Sequence, residues 1–411
     1  MGTGIYARLG VRRVINAAGT LTRLGGSRMA PEVLAAMAEA SRAYVRIEDL
    51  QVAAGRAIAR ATGAEAGYVT SGAAAGLLLG TAACVAGDDA TLMEAMPDLS
   101  AVTRNEVVVH RAHRNSYDHA VRATGVRLVE IGGVGHPTPL PARPFDLDRA
   151  IGPRTAAVLW VEMGDPGTLG VLTLPETTAI AARHGVPVIV DAAASLPPAS
   201  SLSRFVDEGA SLVCFSGGKA IGGPQASGIL AGRADLIRSV ALQHQDMDVH
   251  PETWTWRYLM ADGTLDGPPL QGIGRACKVG REEIAGLLAA LERFIARDHD
   301  AELRVRQAMA AEIAGELDRA LAGLPGVRVT WSDGAATWRP SVTVACEAPD
   351  GRARAIAAVN RLGDGDPVVA VGQGGLDRGA FTLSPACLEA DEVGPLVAAV
   401  ARAVNAEVRS G

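Results

Sequence analysis

The sequence predicts an α/β protein, with a mostly parallel sheet covered on both faces and a smaller α+β region at the C-terminal end. Three observations predict it. The apolar pattern switches repeatedly between strand-like runs and helix-like periodicity. Several of the strand-like runs, such as TAAVLWV and VPVIV, are continuously apolar, as expected of strands buried on both faces. The 48 glycines are dispersed along the chain, which suits many short strand–helix connections.

The elements follow in order. VRRVINAAGT reads as extended chain ending in a Gly turn. PEVLAAMAEASRAYV reads as a helix opened by Pro, and IEDLQVAAGRAIARATG as a helix stopped by Gly63. AGYVTSGAAAGLLLGTAACVAG gives a short strand, a small-residue turn and a helix. NEVVVHR, VRLVEIG, TAAVLWVEM, VPVIVDA and ASLVCFSGGK read as further strands, with helices in SYDHAVRATG and LPETTAIAARHG. GRACKVGREEIAGLLAALERFIARDHDAEL reads as one long amphipathic helix, followed by a second in RQAMAAEIAGELDRALAGL. GVRVTW, SVTVAC and FTLSP then alternate with helices in ARAIAAVNRLG and DEVGPLVAAVARAVN. The expected organisation is an N-terminal arm over 1–45, a large domain over 46–279 and a small domain over 280–411, with no internal repeat.

Composition narrows the function classes. The formal net charge is −6 and no basic run stands out, which argues against nucleic-acid or anionic-membrane partners. No stretch is long and apolar enough for a membrane span, and the N-terminus lacks the apolar core of a signal peptide. The five cysteines (Cys84, Cys214, Cys277, Cys346, Cys387) are far apart and form no CxxC, as expected of buried, reduced thiols in a cytoplasmic protein. One bias is unusual. Lys and Arg together number 39, but only Lys219 and Lys278 are lysines. Arg does not act as an amine nucleophile near neutral pH and Lys does, so a lysine kept against this bias is a candidate for chemistry.

The chemistry-bearing residues lie at strand ends. Asp191 follows VIV and Lys219 follows LVCFSGG. In a parallel sheet both project from the carboxyl edge, where such sheets bind ligands. A carboxylate there can hold a protonated ring nitrogen and an amine can form an imine, which is the pairing that pyridoxal 5'-phosphate requires. Small residues beside them, Ala193 and its neighbours and Gly217–Gly218, would let a flat ring approach the backbone. The VTSGAAAG turn places the amides of Ser71, Gly72 and Ala73 at a helix start, suited to a compact phosphate, and Ser216 offers a second hydroxyl. The turn is not a G-x-G-x-x-G, which counts against a dinucleotide-binding protein. His113, just past a strand, is the candidate to stack on the ring, with Tyr117 competing. Asp191 as a helix cap and the Ser71 turn as plain capping are the alternative structural readings. His110, His113 and His119 match no metal-ligand spacing, and no metal is expected. Asp165 reads as a turn residue, and Trp254 and Trp256 as packing between domains or subunits.

In these motifs the chain resembles a family. INAAGTLTRLGGSRM, VTSGAAAGLLL, HRAHRNSYDHAVRATG, PVIVDAAASLPP, FSGGKAIGGPQASGIL and GRACKVGREEI run in the order found in fold-type-I pyridoxal-phosphate enzymes of the selenocysteine-synthase-like group. That group includes seryl-tRNA selenium transferase and D-glucosaminate-6-phosphate ammonia-lyase. The resemblance implies a large domain with a seven-stranded, mostly parallel sheet. It implies Lys219 as the Schiff-base lysine, Asp191 as the partner of the pyridine nitrogen, Ser71–Ala73 with Ser216 as the phosphate cradle, and His113 as the stacking residue. It also implies a homodimer or higher oligomer with active sites at the interface.

The chain opens almost directly at INAAG and is acidic, which argues against a tRNA substrate. GAFTLSPACL lacks the Arg with which many such enzymes hold a substrate carboxylate, leaving Arg23, Arg275 and Arg339 as candidates; Lys278 is balanced between a surface charge and an anion ligand. The expected reaction, on a small-molecule amine, is an ammonia-lyase-type β-elimination of an amino acid or amino sugar acid. A racemase or epimerase, or a β-replacement transferase, is the alternative, because the fold does not decide the reaction. A cofactor-binding protein without turnover is the reading from another class.

Overall fold

A computed structural model describes residues 4–133, 141–164, 166–347 and 349–408. Asp165 lies outside the described residues. The chain divides into two compact units: residues 29–296, and residues 1–28 together with 297–411.

The larger unit is built on a seven-stranded sheet. Its strands are β1 (Ala66–Thr70), β2 (Glu106–His110), β3 (Arg127–Ile131), β4 (Thr155–Val161), β5 (Val188–Asp191), β6 (Leu212–Ser216) and β7 (Gly228–Gly232). Their order across the sheet is β1-β7-β6-β5-β4-β2-β3. Neighbours from β6 to β3 pair in parallel, and β7 runs antiparallel to both β1 and β6. The continuous apolar runs have the expected cause. Val108, Val158, Val190 and Val213 face one core, while Val107, Leu159, Ile189 and Leu212 face the other. Side chains alternate across the pleat, so a strand with helices on both faces is apolar at every position. Each such side chain, fully buried, contributes about 1.5–3 kcal/mol.

The helices start and stop where local chemistry dictates. Helix Ile47–Thr62 ends at Gly63, whose φ of 69° favours glycine. Helix Leu174–Arg183 opens with a capping box: the Thr173 hydroxyl accepts the Glu176 N–H, and the Glu176 carboxylate accepts the Thr173 N–H.

Four elements differ from the sequence reading. The long helix expected through AEL breaks earlier, at residues 297–298. There the Asp298 carboxylate accepts the Ala301 N–H and starts a new helix, His299–Ala320. The preceding helix, Arg281–Ala296, belongs to the larger unit, where it packs along helix Pro31–Ala40. Strand β7 and the helix Ala234–His244 were not read from the sequence, and neither was the strand Val368–Val371.

The smaller unit has an antiparallel sheet of Val327–Ser332, Ser341–Cys346 and Ala380–Leu383, with Ser341–Cys346 central. The extended segment expected at VRRVINAAG forms a strand, Val14–Ala17, which pairs in parallel with Val368–Val371. Helices His299–Ala320, Gly351–Asp364 and Val393–Val408 close its core. Among the described residues no helix is long and apolar enough to cross a membrane.

Candidate active site

Strand register brings most of the expected residues to one edge of the sheet. Asp191 closes β5 and pairs with Val161 on one side and Cys214 on the other. Ser216, the last residue of β6, pairs with Gly228, which pairs in turn with Thr70. The Ser71–Ala73 turn follows Thr70 directly, and Lys219 follows Ser216 by three residues. Neighbouring strands lie about 4.8 Å apart, so the backbones of Ser71 and Ser216 are separated by roughly two such spacings.

Asp191 is not a helix cap. Its Oδ1 accepts the Ala193 N–H at 3.1 Å, and the next helix begins only at Ser201. Burial pushes its carboxyl above the ordinary range, and the Ala193 amide and the positive charge of Lys219 only partly offset this. A protonated ring nitrogen beside it would add to that offset.

The Ser71–Ala73 turn has a clear geometry. Helix Ala73–Ala86 has Gly72 as its N-cap, with no side-chain capping bond. Gly72 has φ 133°, and a Cβ there would meet open space. The turn lies so close to β7 that a Cβ on Gly228 would come within 2.6 Å of the Gly72 carbonyl carbon. Gly228 is therefore a site-building residue that no local sequence signal reveals. The Ser71 hydroxyl donates to the Cys277 carbonyl at 2.8 Å, so the helix amides are not capped by it.

Several expectations change. At Gly217 and Gly218 the close approach is made by the protein itself: a Cβ on Gly217 would lie 2.2 Å from Ser227 Oγ, and one on Gly218 2.8 Å from the Gln225 Cα. They are glycines because the 223–227 loop folds onto them. His113 is 1% exposed, and its Nδ1 accepts the Val161 N–H at 3.2 Å. Its ring meets Trp160 and His110 edge-on at 5.3 and 5.1 Å. Burial, reinforced by His110, lowers its pKa to about 3, so it is neutral. These are the surroundings of a core histidine that props β4 beside Asp191. Tyr117 is 68% exposed. Trp254 is buried in the core of the larger unit, with its Nε1 donating to Gln245 Oε1 at 3.0 Å, rather than packing between domains.

Arg275 sits in the 3-10 turn Ile273–Cys277 and contacts Asp246 at 3.3 Å, with Lys278 exposed beside it. Arg23 is exposed in the turn Thr22–Leu24 of the smaller unit, where Arg339 is also exposed. The five cysteines are free; Cys84, Cys214 and Cys346 are buried, while Cys277 and Cys387 are partly exposed. Sequence reasoning also missed Glu162, which follows Val161 and whose carboxylate accepts from Arg204 at 2.7 Å, tying the end of β4 to helix Ser201–Asp207.

The donor set fits pyridoxal phosphate: an amine for the aldehyde, a carboxylate for the ring nitrogen, and helix amides with a hydroxyl for the phosphate. Comparison with known proteins agrees. Residues 14–247 match the L-seryl-tRNA selenium transferase family. The chain is 33% identical over 402 residues to the D-glucosaminate-6-phosphate ammonia lyase of Salmonella typhimurium, covering 97% of each. It is also 33% identical to the 5'-C-glycyluridine monooxygenase-decarboxylase of a Streptomyces species, over 94% of this chain and 88% of that one. A solved D-glucosaminate-6-phosphate ammonia-lyase superposes with a TM-score of 0.79 at 30% identity, covering 99% of this chain and all of the other. Serine palmitoyltransferase of Sphingomonas wittichii, at 14% identity and a TM-score of 0.55, shares the fold. The chain therefore belongs to the L-seryl-tRNA selenium transferase family of fold-type-I pyridoxal-phosphate enzymes.

Proposed function

We propose that this enzyme is an ammonia-lyase that removes ammonia from a 2-amino-3-hydroxy acid, such as an amino sugar acid. The observation that carries the reading is the meeting of Asp191, Lys219 and the Ser71–Ala73 turn at one sheet edge, in a chain 33% identical along its length to an ammonia lyase.

Pyridoxal phosphate supplies an aldehyde for the substrate amine and a ring that accepts electrons. The Ser71–Ala73 amides and Ser216 would bind its phosphate, and Asp191 would keep a proton on its ring nitrogen. Lys219 Nζ would take the proton from the substrate α-carbon. The 3-hydroxyl leaves as water after receiving a proton. The released enamine is hydrolysed, regaining one water, to a 2-keto-3-deoxy acid and ammonia. Arg275 and Arg23 are the candidates to hold substrate anions, and the expected assembly is a homodimer or higher homo-oligomer, measurable by sedimentation.

The test is ammonia and keto-acid release from a panel of amino sugar acids and hydroxy amino acids in deuterated water. Coupled formation of both products supports the lyase. Solvent deuterium at the α-carbon with inversion and no keto acid would establish a racemase instead. The equal identity to the monooxygenase-decarboxylase favours a second reading, in which the chain consumes dioxygen and releases carbon dioxide. An oxygen electrode run on the same panel separates the two.

A further inference from the structure

The Ser71 hydroxyl does not stand alone. The Cys277 carbonyl that accepts from it also lies 3.0 Å from His244 Nε2. A carbonyl only accepts, so Nε2 carries the ring proton. The neutral ring then accepts at Nδ1, and Tyr68 OH donates to it at 2.9 Å. Burial depresses the His244 pKa, consistent with that single tautomer. Tyr68 and His244 are 5% and 7% exposed and meet edge to face with ring centroids 5.5 Å apart. The segment bearing Cys277 is pressed onto the end of helix Ala234–His244: a Cβ on Gly272 would come within 2.6 Å of the Gln243 carbonyl oxygen, and one on Gly274 within 2.7 Å.

This geometry poses a problem for phosphate binding. A phosphate needs donors, and the Ser71 proton is committed to Cys277. Turning the hydroxyl towards a phosphate removes one partner from a carbonyl that would otherwise be stranded. We propose that His244, fixed by Tyr68, is a positioning residue that keeps the Cys277 carbonyl hydrogen-bonded, so that the Ser71 hydroxyl can turn from it to the cofactor phosphate. The proposal rests on the reading of the Ser71–Ala73 turn as the phosphate site. It also joins the strand-end turn to the segment carrying Arg275 and Lys278 through one shared oxygen.

The test compares the affinity of apoenzyme for pyridoxal 5'-phosphate with that for pyridoxal, which lacks the phosphate, followed by visible absorbance. His244→Phe should weaken pyridoxal phosphate by about tenfold and leave pyridoxal unchanged. His244→Gln, which retains an N–H donor, should restore most of the loss. Tyr68→Phe should cost about threefold in the same selective way. In a Ser71→Ala background, His244→Phe should produce no further loss, since the two act through one hydroxyl. Equal weakening of both ligands, or losses that simply add with Ser71→Ala, would overturn the proposal while leaving the phosphate turn intact. If His244→Phe does not fold, an unchanged affinity ratio in Tyr68→Phe overturns it as well. If Ser71→Ala and an adjacent Gly72→Ala both leave the ratio of the two affinities unaltered, the reading of the turn itself is wrong, and the proposal goes with it.

Discussion

The two edges of the seven-stranded sheet treat a buried carboxylate in opposite ways. At the amino edge, Glu106 opens β2 and its Oε1 accepts from Arg127 and Arg154, each at 2.6 Å. Burial pushes its carboxyl up, but the two guanidinium groups outweigh that and hold it below the usual range. At the carboxyl edge, burial prevails at Asp191, whose carboxyl is raised. The first carboxylate is satisfied by the protein itself. The second has a backbone amide and the charge of Lys219 beside it, and these do not outweigh its burial. At one edge the protein's own arginines outweigh the burial of a carboxylate; at the other, burial outweighs the groups beside it.

This contrast can be broken in several ways. Lys219→Ala should lower turnover by about 10⁴-fold or more and abolish the visible band of the cofactor imine; an ammonia-release assay and an absorbance spectrum measure both. Asp191→Asn should cost about a hundredfold in turnover. In the apoprotein the same change should raise the melting temperature at pH 7 by about 1–2 °C for each kcal/mol gained. The sign follows from the raised carboxyl: the native state holds its proton more tightly than the unfolded chain, so stability falls as pH rises past the ordinary Asp range. The gain in Asp191→Asn should accordingly shrink on acidification. A lower melting temperature in that variant would mean that the carboxylate is already satisfied.

A smaller effect concerns the histidines behind the carboxyl edge. Burial lowers the pKa of His110 to about 4 and that of His113 to about 3. The unfolded chain takes up protons first, so stability should fall as pH drops below 6.5, by about 2 kcal/mol per histidine by pH 5. Urea midpoints across that range should show the slope, and His113→Phe should flatten it. The smallest effect lies at the amino edge. Glu106→Gln should cost about 1 kcal/mol of stability at pH 7, because the two arginines are more than half exposed. Its folded pKa is lowered, so the difference from wild type should vanish as pH falls below the ordinary Glu range, and kcat should not change. A change in kcat would show that the two edges are coupled.

What the sequence disclosed follows the same division. Strands β2, β4, β5 and β6 were legible because both of their faces are buried, and Asp191 and Lys219 were legible because the first ends such a run and the second follows one by three residues. Strand β7 was hidden in GILAG, where Gly228 exists to let a turn from elsewhere in the chain lie on it. Val368–Val371 was hidden because its partner lies at the other end of the sequence. The Tyr68–His244–Cys277 connection could not be read at all: it passes through a backbone carbonyl, which leaves no side-chain signature. The sequence suggests ring-stacking for His113 because it follows a strand, but it does not show that this ring is 1% exposed and packed against Trp160 and His110.

The reversal of β7 against β6 has a mechanical consequence. Lys219 rides on a short return whose two ends are tied, the Gly217 N–H to the Ser227 carbonyl at 2.9 Å and the Gly223 N–H to the Gly217 carbonyl at 2.8 Å. The amine can therefore roam only as far as its own four-carbon stem swings, while its Cα stays moored to the sheet. In the role proposed for Lys219, the backbone share of the ordering cost is met once, when the chain folds, and not again at each turnover.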